Sequence, residues 1–257
     1  MENKIKKILI PISFSEGSAN SLRQSFSLFE NTELILLHCY PPYAYNREYD
    51  FGQISYDKGI EGMLVEFYRK HRAKKIAQNI KLIAREGSVS ETIAEISGDY
   101  DLVVMSKRKL QETGGYWFSD RVIFIAFYSH CPVLLLPLKE KKFNFKDCQN
   151  IWHLKRKEIE TEILERKLPN IEIDPKRLEV KTMDQTSITS SFWQALLSFS
   201  KTKDKEWSRQ ILETKDLETI DLIVLVSHQK DSFQNFMKAE IIQMINQYNI
   251  PLLVIQA

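Results

Sequence analysis

Short apolar runs alternate with segments of helical spacing through the first 138 residues of this chain. The runs have the composition of buried parallel strands and lie at 8–12, 33–38, 79–84, 102–105 and 133–136. Strands that alternate with helices form a parallel sheet with helices on both faces. The predicted fold class is therefore α/β, with a doubly wound, Rossmann-like parallel sheet. In such sheets, ligands bind beyond the carboxyl ends of the strands, where the winding reverses.

The segments between these runs predict four helices. Apolar residues recur at helical spacing from position 19 to 29, and further helices are predicted at about 57–74, 89–96 and 120–128. Ser88 and Glu91 have the spacing of a capping box, which predicts that the third helix begins there. Each helix thus follows one strand and precedes the next, as a doubly wound sheet requires.

The second half of the chain repeats the first in shortened form. The phrase Asp101-Leu-Val-Val-Met-Ser returns as Asp221-Leu-Ile-Val-Leu-Val-Ser, and Cys131-Pro-Val-Leu-Leu-Leu returns as Ile250-Pro-Leu-Leu-Val-Ile. We therefore predict a first domain at 1–138, a charged linker at 139–149, and a second domain at 150–257 that has lost one strand–helix unit. Its predicted strands are 150–154, 178–182, 222–226 and 251–255, and its predicted helices are 155–167, 190–217 and 233–245.

Four phrases of the first half follow one another at defined spacing. They are Lys7-Ile-Leu-Ile-Pro-Ile-Ser-Phe-Ser-Glu16, Arg85-Glu-Gly87, Asp101-Leu-Val-Val-Met-Ser106 and His130-Cys-Pro-Val-Leu-Leu-Leu-Pro137. In this order they resemble the universal stress protein family, and the repeat of the last two at 221–256 makes the chain look like a tandem, two-domain member. The resemblance implies two HUP-type parallel-sheet domains, the second reduced, and a stress-associated role.

The resemblance also implies that the domains associate through their last strands. Here those strands would pair within one chain, as a pseudo-dimer. The residues of this predicted interface are Val133, Leu134, Leu135, Leu136, Leu252, Leu253, Val254 and Ile255. The pairing is physically sensible because an uncovered apolar edge strand invites aggregation.

Nucleotide-binding members of the family use an acidic residue after the first strand and a Gly-x2-Gly-x9-Gly-[Ser/Thr] loop after the fourth. This sequence has Ser13 at the acidic position and Ser106, Lys109, Ser119 and Asp120 at the loop positions. Asp120 places a negative charge where a phosphate would lie, and like charges repel. The last 142 residues contain no glycine, which excludes a glycine-rich phosphate loop in the second half. The resemblance thus implies the fold but argues against ATP as a cofactor.

The candidate ligand-binding residues belong to the groove expected in the first half. They are Ser13, Gly87, Ser106, Lys107, Arg108, Lys109 and Ser119. The three cations at 107–109 have the charge to hold an anion, but a solvated loop is the favoured explanation for them. Two functions stay open. One is a non-enzymatic, stress-associated binding or regulatory module with a protein or small-molecule partner; the other is an adenine-nucleotide binder or weak ATPase that uses this groove.

The sequence carries no motif for catalysis or metal binding. It has no nucleophile elbow, P-loop or zincin helix. The doublets His38-Cys39 and His130-Cys131 lie at opposite ends of predicted strands, about 15–20 Å apart, which is too far for a shared metal ion. The charged residues at 155–165 indicate the solvated face of a helix. We therefore expect a protein that is not an enzyme and holds no metal.

Charge and cysteine content favour a cytoplasmic protein. The net charge of +2 is spread evenly over both halves, which disfavours a nucleic-acid partner. Three cysteines without framework spacing favour a reducing compartment. The apolar runs fall well short of the roughly 20 residues that cross a bilayer, so we expect no membrane association. Self-association as a homodimer is expected in addition.

Overall fold

A nine-stranded sheet carries the fold. The computed structural model describes residues 5–29, 32–41, 52–72, 79–106, 108–109, 116–117, 120–137, 143–155, 157–182, 219–228 and 250–257. The predicted helices at 190–217 and 233–245 lie outside these residues.

Strands and helices alternate in the first half, which confirms the predicted α/β fold class. The elements are β1 (Lys7–Pro11), α1 (Glu16–Leu28), β2 (Glu33–Tyr40), α2 (Gly52–His71), β3 (Ile80–Glu86), α3 (Val89–Ile96), β4 (Leu102–Ser106), β5 (Arg108–Lys109), β6 (Tyr116–Trp117), α4 (Asp120–Tyr128) and β7 (Val133–Leu136). The two-residue strands β5 and β6 form a separate small hairpin between β4 and α4.

The second half contributes four strands to the same sheet. Its elements are β8 (Ile151–Lys155), α5 (Glu160–Lys167), β9 (Leu178–Thr182), β10 (Leu222–Ser227) and β11 (Leu252–Gln256). Two short 3-10 turns, Leu168–Ile171 and Pro175–Arg177, connect α5 to β9. Each of these strands begins within one residue of its predicted start.

The order of strands repeats on the two sides of one junction. From edge to edge it reads β3-β2-β1-β4-β7-β11-β10-β8-β9. All neighbouring strands in this sheet run parallel except β7 and β11, which run antiparallel. Outward from the junction, β7-β4-β1-β2 on one side therefore corresponds to β11-β10-β8-β9 on the other. Strand β3 has no counterpart among the described residues of the second half.

The junction pairs the two strands that were predicted to meet. Leu135 lies opposite Leu252, Leu134 opposite Leu253, and Val133 opposite Val254. Every residue of β7 and β11 is buried. The halves therefore share one continuous sheet instead of presenting two apolar edges to solvent.

An aspartate fastens the strands of each half in the same way. The Oδ2 atom of Asp101, just before β4, accepts the N–H groups at positions 6 and 7 at 2.8 and 2.9 Å. The Oδ2 atom of Asp221, just before β10, accepts the N–H groups at positions 149 and 150 at 2.8 and 3.0 Å. The repeated sequence phrase thus makes an equivalent contact at the start of β1 and of β8.

Part of the predicted linker packs onto the first half. The N–H group of Phe143 donates to Oε1 of Gln24 at 3.0 Å. The ring of Phe145 lies 6.2 Å from the ring of Phe29, and both Phe145 and Cys148 are buried. Residues 143–148 therefore anchor the chain beside α1 before β8 begins.

Each face of the sheet carries an apolar core that crosses the junction. One core packs against α1, α2 and α5 and contains Leu134 and Leu253. The other packs against α3 and α4 and contains Val133 and Val254. Since neighbouring residues of a strand point to opposite faces, the uninterrupted apolar runs supply both cores.

Three local details differ from the sequence predictions. Helix α2 begins at Gly52, five residues earlier than predicted. This start was missed because glycine is a poor helix former. Helix α5 begins only at Glu160. The predicted capping box at Ser88 is absent, since its Oγ lies 3.0 Å from Oγ of Ser90 and forms no helix cap. In the described part of the chain, no helix has the length and apolarity to span a membrane.

Replacing Leu135 by lysine tests the junction. The variant Leu135→Lys places an ammonium group opposite Leu252 without a partner, and we expect it to lower the free energy of unfolding by about 3–5 kcal/mol. Urea denaturation followed by circular dichroism measures this loss. The control Val180→Lys lies on the edge strand β9 at an exposed position and should leave stability unchanged. A stably folded Leu135→Lys protein that differs only in oligomeric state would contradict the intrachain junction.

Candidate functional site

The carboxyl ends of β1 and β4 lie side by side at the predicted groove of the first half. The chain leaves these neighbouring strands in opposite directions, from β1 towards β2 and from β4 towards β7. A doubly wound sheet offers its ligand crevice at this point. Ser13 follows β1 and Ser106 ends β4, so the structure places these two predicted residues at the same edge of the sheet.

Polar side chains of α1 hold Ser106 in a hydrogen-bond network. The Oγ atom of Ser106 accepts from Nδ2 of Asn20 at 3.0 Å and from Oγ of Ser21 at 2.9 Å. The Asn20 amide also donates to the carbonyl oxygen of Pro137 at 3.0 Å. All three network side chains are at most 8% exposed. Helix α1 therefore fills the carboxyl end of β4 with groups that satisfy one another.

The amino end of α1 is capped by its own serines. The Oγ atom of Ser15 accepts the N–H group of Ser18, and the Oγ atom of Ser18 accepts the N–H group of Ser15, which forms a capping box. The N–H group of Ser13 also donates to Oγ of Ser18, at 3.3 Å. Glu16 adds a carboxylate to the first turn. The N–H group of Ser18 is thus engaged within the chain, and the carboxylate of Glu16 opposes an anion at this helix start.

An aromatic cluster, formed by Phe14, His38, Phe67 and His71, lies beside this groove. Phe14 has a φ of 54°, a left-handed conformation that is strained for a bulky residue. Its ring lies 4.4 Å from His38 and 5.7 Å from Phe67, and Phe67 lies 4.7 Å from His71. His38 donates its Nδ1–H to the carbonyl oxygen of Ile12 at 2.7 Å. The turn after β1 is therefore held by aromatic packing as well as by the serine caps.

Arg23 links this cluster to the start of α1. Its guanidinium donates to the carboxylate of Glu16 and to Nδ1 of His71, the latter at 3.3 Å. Burial lowers the pKa of His71, and the charges of Arg23 and Lys70 lower it further. The ring is thus an acceptor at neutral pH, and the guanidinium is bound to groups of the chain itself.

Gly87 lies away from the groove. It follows β3, which is two strands from β1 and hence about 10 Å away across the sheet. Its backbone φ of 131° is one that residues other than glycine rarely adopt. Its N–H group donates to the carbonyl oxygen of Tyr40 at 2.8 Å. Gly87 therefore shapes the turn from β3 into α3.

The predicted cationic loop is a hairpin at its base. Arg108 pairs with Trp117, and Lys109 pairs with Tyr116. Residues 108 and 109 thus belong to a short hairpin within the loop that was predicted to follow the fourth strand. Lys107 and Ser119 lie outside the described residues, so the seven predicted groove residues are not all placed.

The second half contains a buried group that the sequence reasoning missed. Glu160 accepts a hydrogen bond from Nε2 of His153 at 3.3 Å and another, at its second oxygen, from Nε2 of His228 at 3.0 Å. Glu160 and His153 are at most 1% exposed, and His228 is 13% exposed. His153 belongs to β8 and His228 follows β10, so this His–Glu–His trio lies where the winding of the second half reverses.

One signal in the sequence could have revealed this trio. Residues 155–165 were interpreted as a solvated helix face, yet Glu160 lies three and four positions before the buried Ile163 and Leu164. Residues at this spacing share one helix face, so the glutamate faces the sheet with them. His153 lies inside the apolar run of β8, and it is the strand residue that contacts Glu160.

The cysteines show no reactive environment. All three are free thiols. Burial raises the pKa of Cys131 to about 12 and also raises the pKa of Cys39. Protonated thiols are poor nucleophiles and poor metal ligands. Within the described ranges, no group of three or more histidine, cysteine, aspartate or glutamate side chains could hold a metal ion.

Comparison with known sequences identifies one family. The Universal stress protein family matches residues 4–137, slightly more than half of the chain. No curated protein matches the sequence.

Several solved structures share the fold over the whole chain. A universal stress protein from Archaeoglobus fulgidus DSM 4304 aligns with 97% of this chain and 96% of its own, at 15% identity and a TM-score of 0.61. A putative universal stress protein from Pseudomonas aeruginosa UCBPP-PA14 aligns with 98% of this chain and 93% of its own, at 8% identity and a TM-score of 0.55. A functionally unknown protein from Pseudomonas aeruginosa PAO1 aligns with 98% of this chain and 92% of its own, at 10% identity and a TM-score of 0.54. At these identities the likeness concerns the fold alone.

Replacing Asn20 by alanine tests the network at β4. The variant Asn20→Ala removes the donors to Ser106 and Pro137, and we expect it to lower the free energy of unfolding by about 1–3 kcal/mol in urea denaturation. The matched control Asn79→Ala changes an exposed asparagine and should leave stability unchanged. Equal effects of the two substitutions would show that the network does not hold the groove.

Replacing Glu160 by alanine tests the His–Glu–His trio. The variant leaves the Nε2–H groups of His153 and His228 without their acceptor, which should lower the free energy of unfolding by at least about 1–3 kcal/mol. Glu165→Ala, at an exposed position of the same helix, is the control. Both variants are compared by thermal and urea denaturation. A Glu160→Ala protein as stable as the control would contradict a structural role of the trio.

Proposed function

Because this chain belongs to the universal stress protein family, we propose that it is a non-enzymatic, stress-associated protein that acts as a binding or regulatory module without ATP. Its partner is another protein or a small molecule. The observation that carries the proposal is the closed network of Asn20, Ser21 and Ser106 at the end of β4. A nucleotide needs unpaired donors at this position, and here the donors are used within the chain.

The charge at the groove also supports this proposal. A phosphate group is stabilised by backbone N–H groups and positive potential at a helix start. Here the first turn of α1 carries Glu16, and α4 begins with Asp120. The carboxylate of Glu16 repels an anion, and the sequence adds a second acidic residue, Asp120, where the resemblance would place a phosphate. The missing loop glycines add to this effect because the backbone cannot approach a phosphate as closely.

The environment of the candidate nucleophiles supports a role without catalysis. The pKa of two cysteine thiols is raised by burial, so both are protonated at neutral pH. In the second half, Glu160 is enclosed by two histidines and is fully buried. A general base must reach the proton that it abstracts, and a carboxylate without exposed surface does not meet a substrate.

The domain arrangement proposed with this function is a tandem of two related units. Residues 1–138 form the first, 139–149 the linker, and 150–257 the shortened second unit. The repeated strand order and the equivalent hydrogen bonds of Asp101 and Asp221 support this division. In this arrangement the junction of β7 and β11 takes the place of a dimer contact.

Thermal unfolding with Mg-ATP tests the proposal. A ligand at 100 times its dissociation constant stabilises a protein by about 2.7 kcal/mol, which is readily visible as a shift in Tm. We expect no shift at millimolar Mg-ATP relative to Mg2+ alone. This result would exclude the alternative function, an adenine-nucleotide binder or weak ATPase.

The matched control is the double variant Lys107→Met and Lys109→Met. A clear shift with Mg-ATP that disappears in this variant would contradict the proposal and assign the first-half groove to an adenine nucleotide. A shift that persists in the variant would contradict the proposal as well, and would place the nucleotide away from Lys107 and Lys109.

A further inference from the structure

A cleft of about 570 Å³ lies where the two halves meet. Its first-half wall is built from residues that precede β1, β4 and β7, and its second-half wall from the end of α5 and the turn after it. This is the amino edge of the first-half strands, about 15 Å from the groove of Ser13 and Ser106 at their carboxyl ends. The cleft is therefore separate from the groove and exists only because β7 and β11 join the halves.

The cleft carries more positive than negative charge. Lys6 from the first half and Lys167 from the second line it, against one carboxylate from Asp101. The Oδ2 atom of Asp101 already accepts two backbone N–H groups, at 2.8 and 2.9 Å, which reduces its influence on a ligand. Lysines from opposite walls thus line a common space.

Lys167 is the best-defined cation of this pair. It is half-buried, and its Nζ donates to the backbone carbonyl oxygen of Gln256 at the end of β11. Burial lowers its pKa, and the neighbouring charge of Arg166 lowers it further. A cation that has lost part of its water gains more from an anionic partner than an exposed one does.

The remaining lining suits a ligand with an apolar body. Ile5, Pro132 and Ile171 supply apolar surface. Tyr100 also lines the cleft, and burial raises the pKa of its hydroxyl. A volume of about 570 Å³ lies within the range of small-molecule sites, about 300–1,000 Å³.

The two lysines of the lining favour a phosphomonoester over a carboxylate because of its charge. A phosphomonoester carries about 1.5 to 2 negative charges at pH 7 and a carboxylate carries one, and lysine binds phosphate as a point charge. The residues that line the cleft include two lysines and no arginine.

From these contacts we propose that the cleft between the halves binds a small phosphomonoester with an aromatic or apolar body, held by Lys6 and Lys167. The inference rests on the proposed function, a binding role without ATP, and gives that role a site and a ligand class. It requires no change in the first-half groove.

Isothermal titration calorimetry with phenyl phosphate tests this inference. We expect binding to the full chain, weaker by about tenfold or more in Lys167→Met and in Lys6→Met, because each variant removes a charge-assisted hydrogen bond. The control Lys176→Met changes an exposed lysine outside the cleft and should bind as the parent does. Asn170→Trp, a substitution at an exposed position of the lining, should block the cleft without removing a charge.

Two further probes identify the ligand chemistry. Inorganic phosphate lacks the phenyl ring, and benzoate has a carboxylate in place of the phosphate group. Both should bind more weakly than phenyl phosphate. No binding of phenyl phosphate at millimolar concentration, or equal binding to the parent, Lys167→Met and Asn170→Trp, would overturn the inference. Tighter binding of benzoate would overturn the assignment to phosphates.

The same titrations separate this inference from the proposed function. If phenyl phosphate binding is lost in the Lys107 and Lys109 variant and kept in Lys167→Met, the ligand lies in the first-half groove and the cleft proposal fails. If Mg-ATP shifts the Tm while phenyl phosphate binding still depends on Lys167, the role without ATP fails and the cleft stands.

Discussion

The antiparallel pairing of β7 with β11 is the contact on which the rest of this structure depends. Both strands are apolar on both faces and would be open sheet edges if the halves were separate. Their pairing joins two parallel sheets into one and lets both apolar cores run across the junction. It also sets the amino edge of the first half beside the second half, which creates the cleft of Lys6 and Lys167. Fold and proposed ligand site thus share one cause.

The two halves differ most where their winding reverses. In the first, small polar side chains from α1 close the end of β4 around Ser106. In the second, the equivalent position holds Glu160 between His153 and His228. Each arrangement satisfies its own polar groups, which a buried site must do to be stable. A crevice filled in this way has few unpaired donors for a phosphate, which is the basis of the proposed role without ATP.

Much of the fold was predictable from the sequence because it rests on local patterns. Apolar runs and the repeated Asp-Leu phrases located the strands of both halves, and the family resemblance indicated which strands meet. The His–Glu–His trio was missed because its members are far apart along the chain and the glutamate lies within a charged segment. The capping box of Ser15 and Ser18 is local, but it has a serine in place of the usual Glu or Gln at its second position. The left-handed Phe14 depends on its packing against His38 and Phe67, which no local pattern encodes. The cleft was not predictable at all, since it needs both halves in place.

The central functional claim is that the first half holds no adenine nucleotide, because its crevice is closed by Asn20, Ser21 and Ser106. The most direct measurement is the nucleotide content of the purified, undialysed protein, released by acid denaturation and quantified by ion-exchange chromatography. The account predicts no adenine nucleotide above the level found with an unrelated protein purified in the same way. Release of one adenine nucleotide per chain would contradict it.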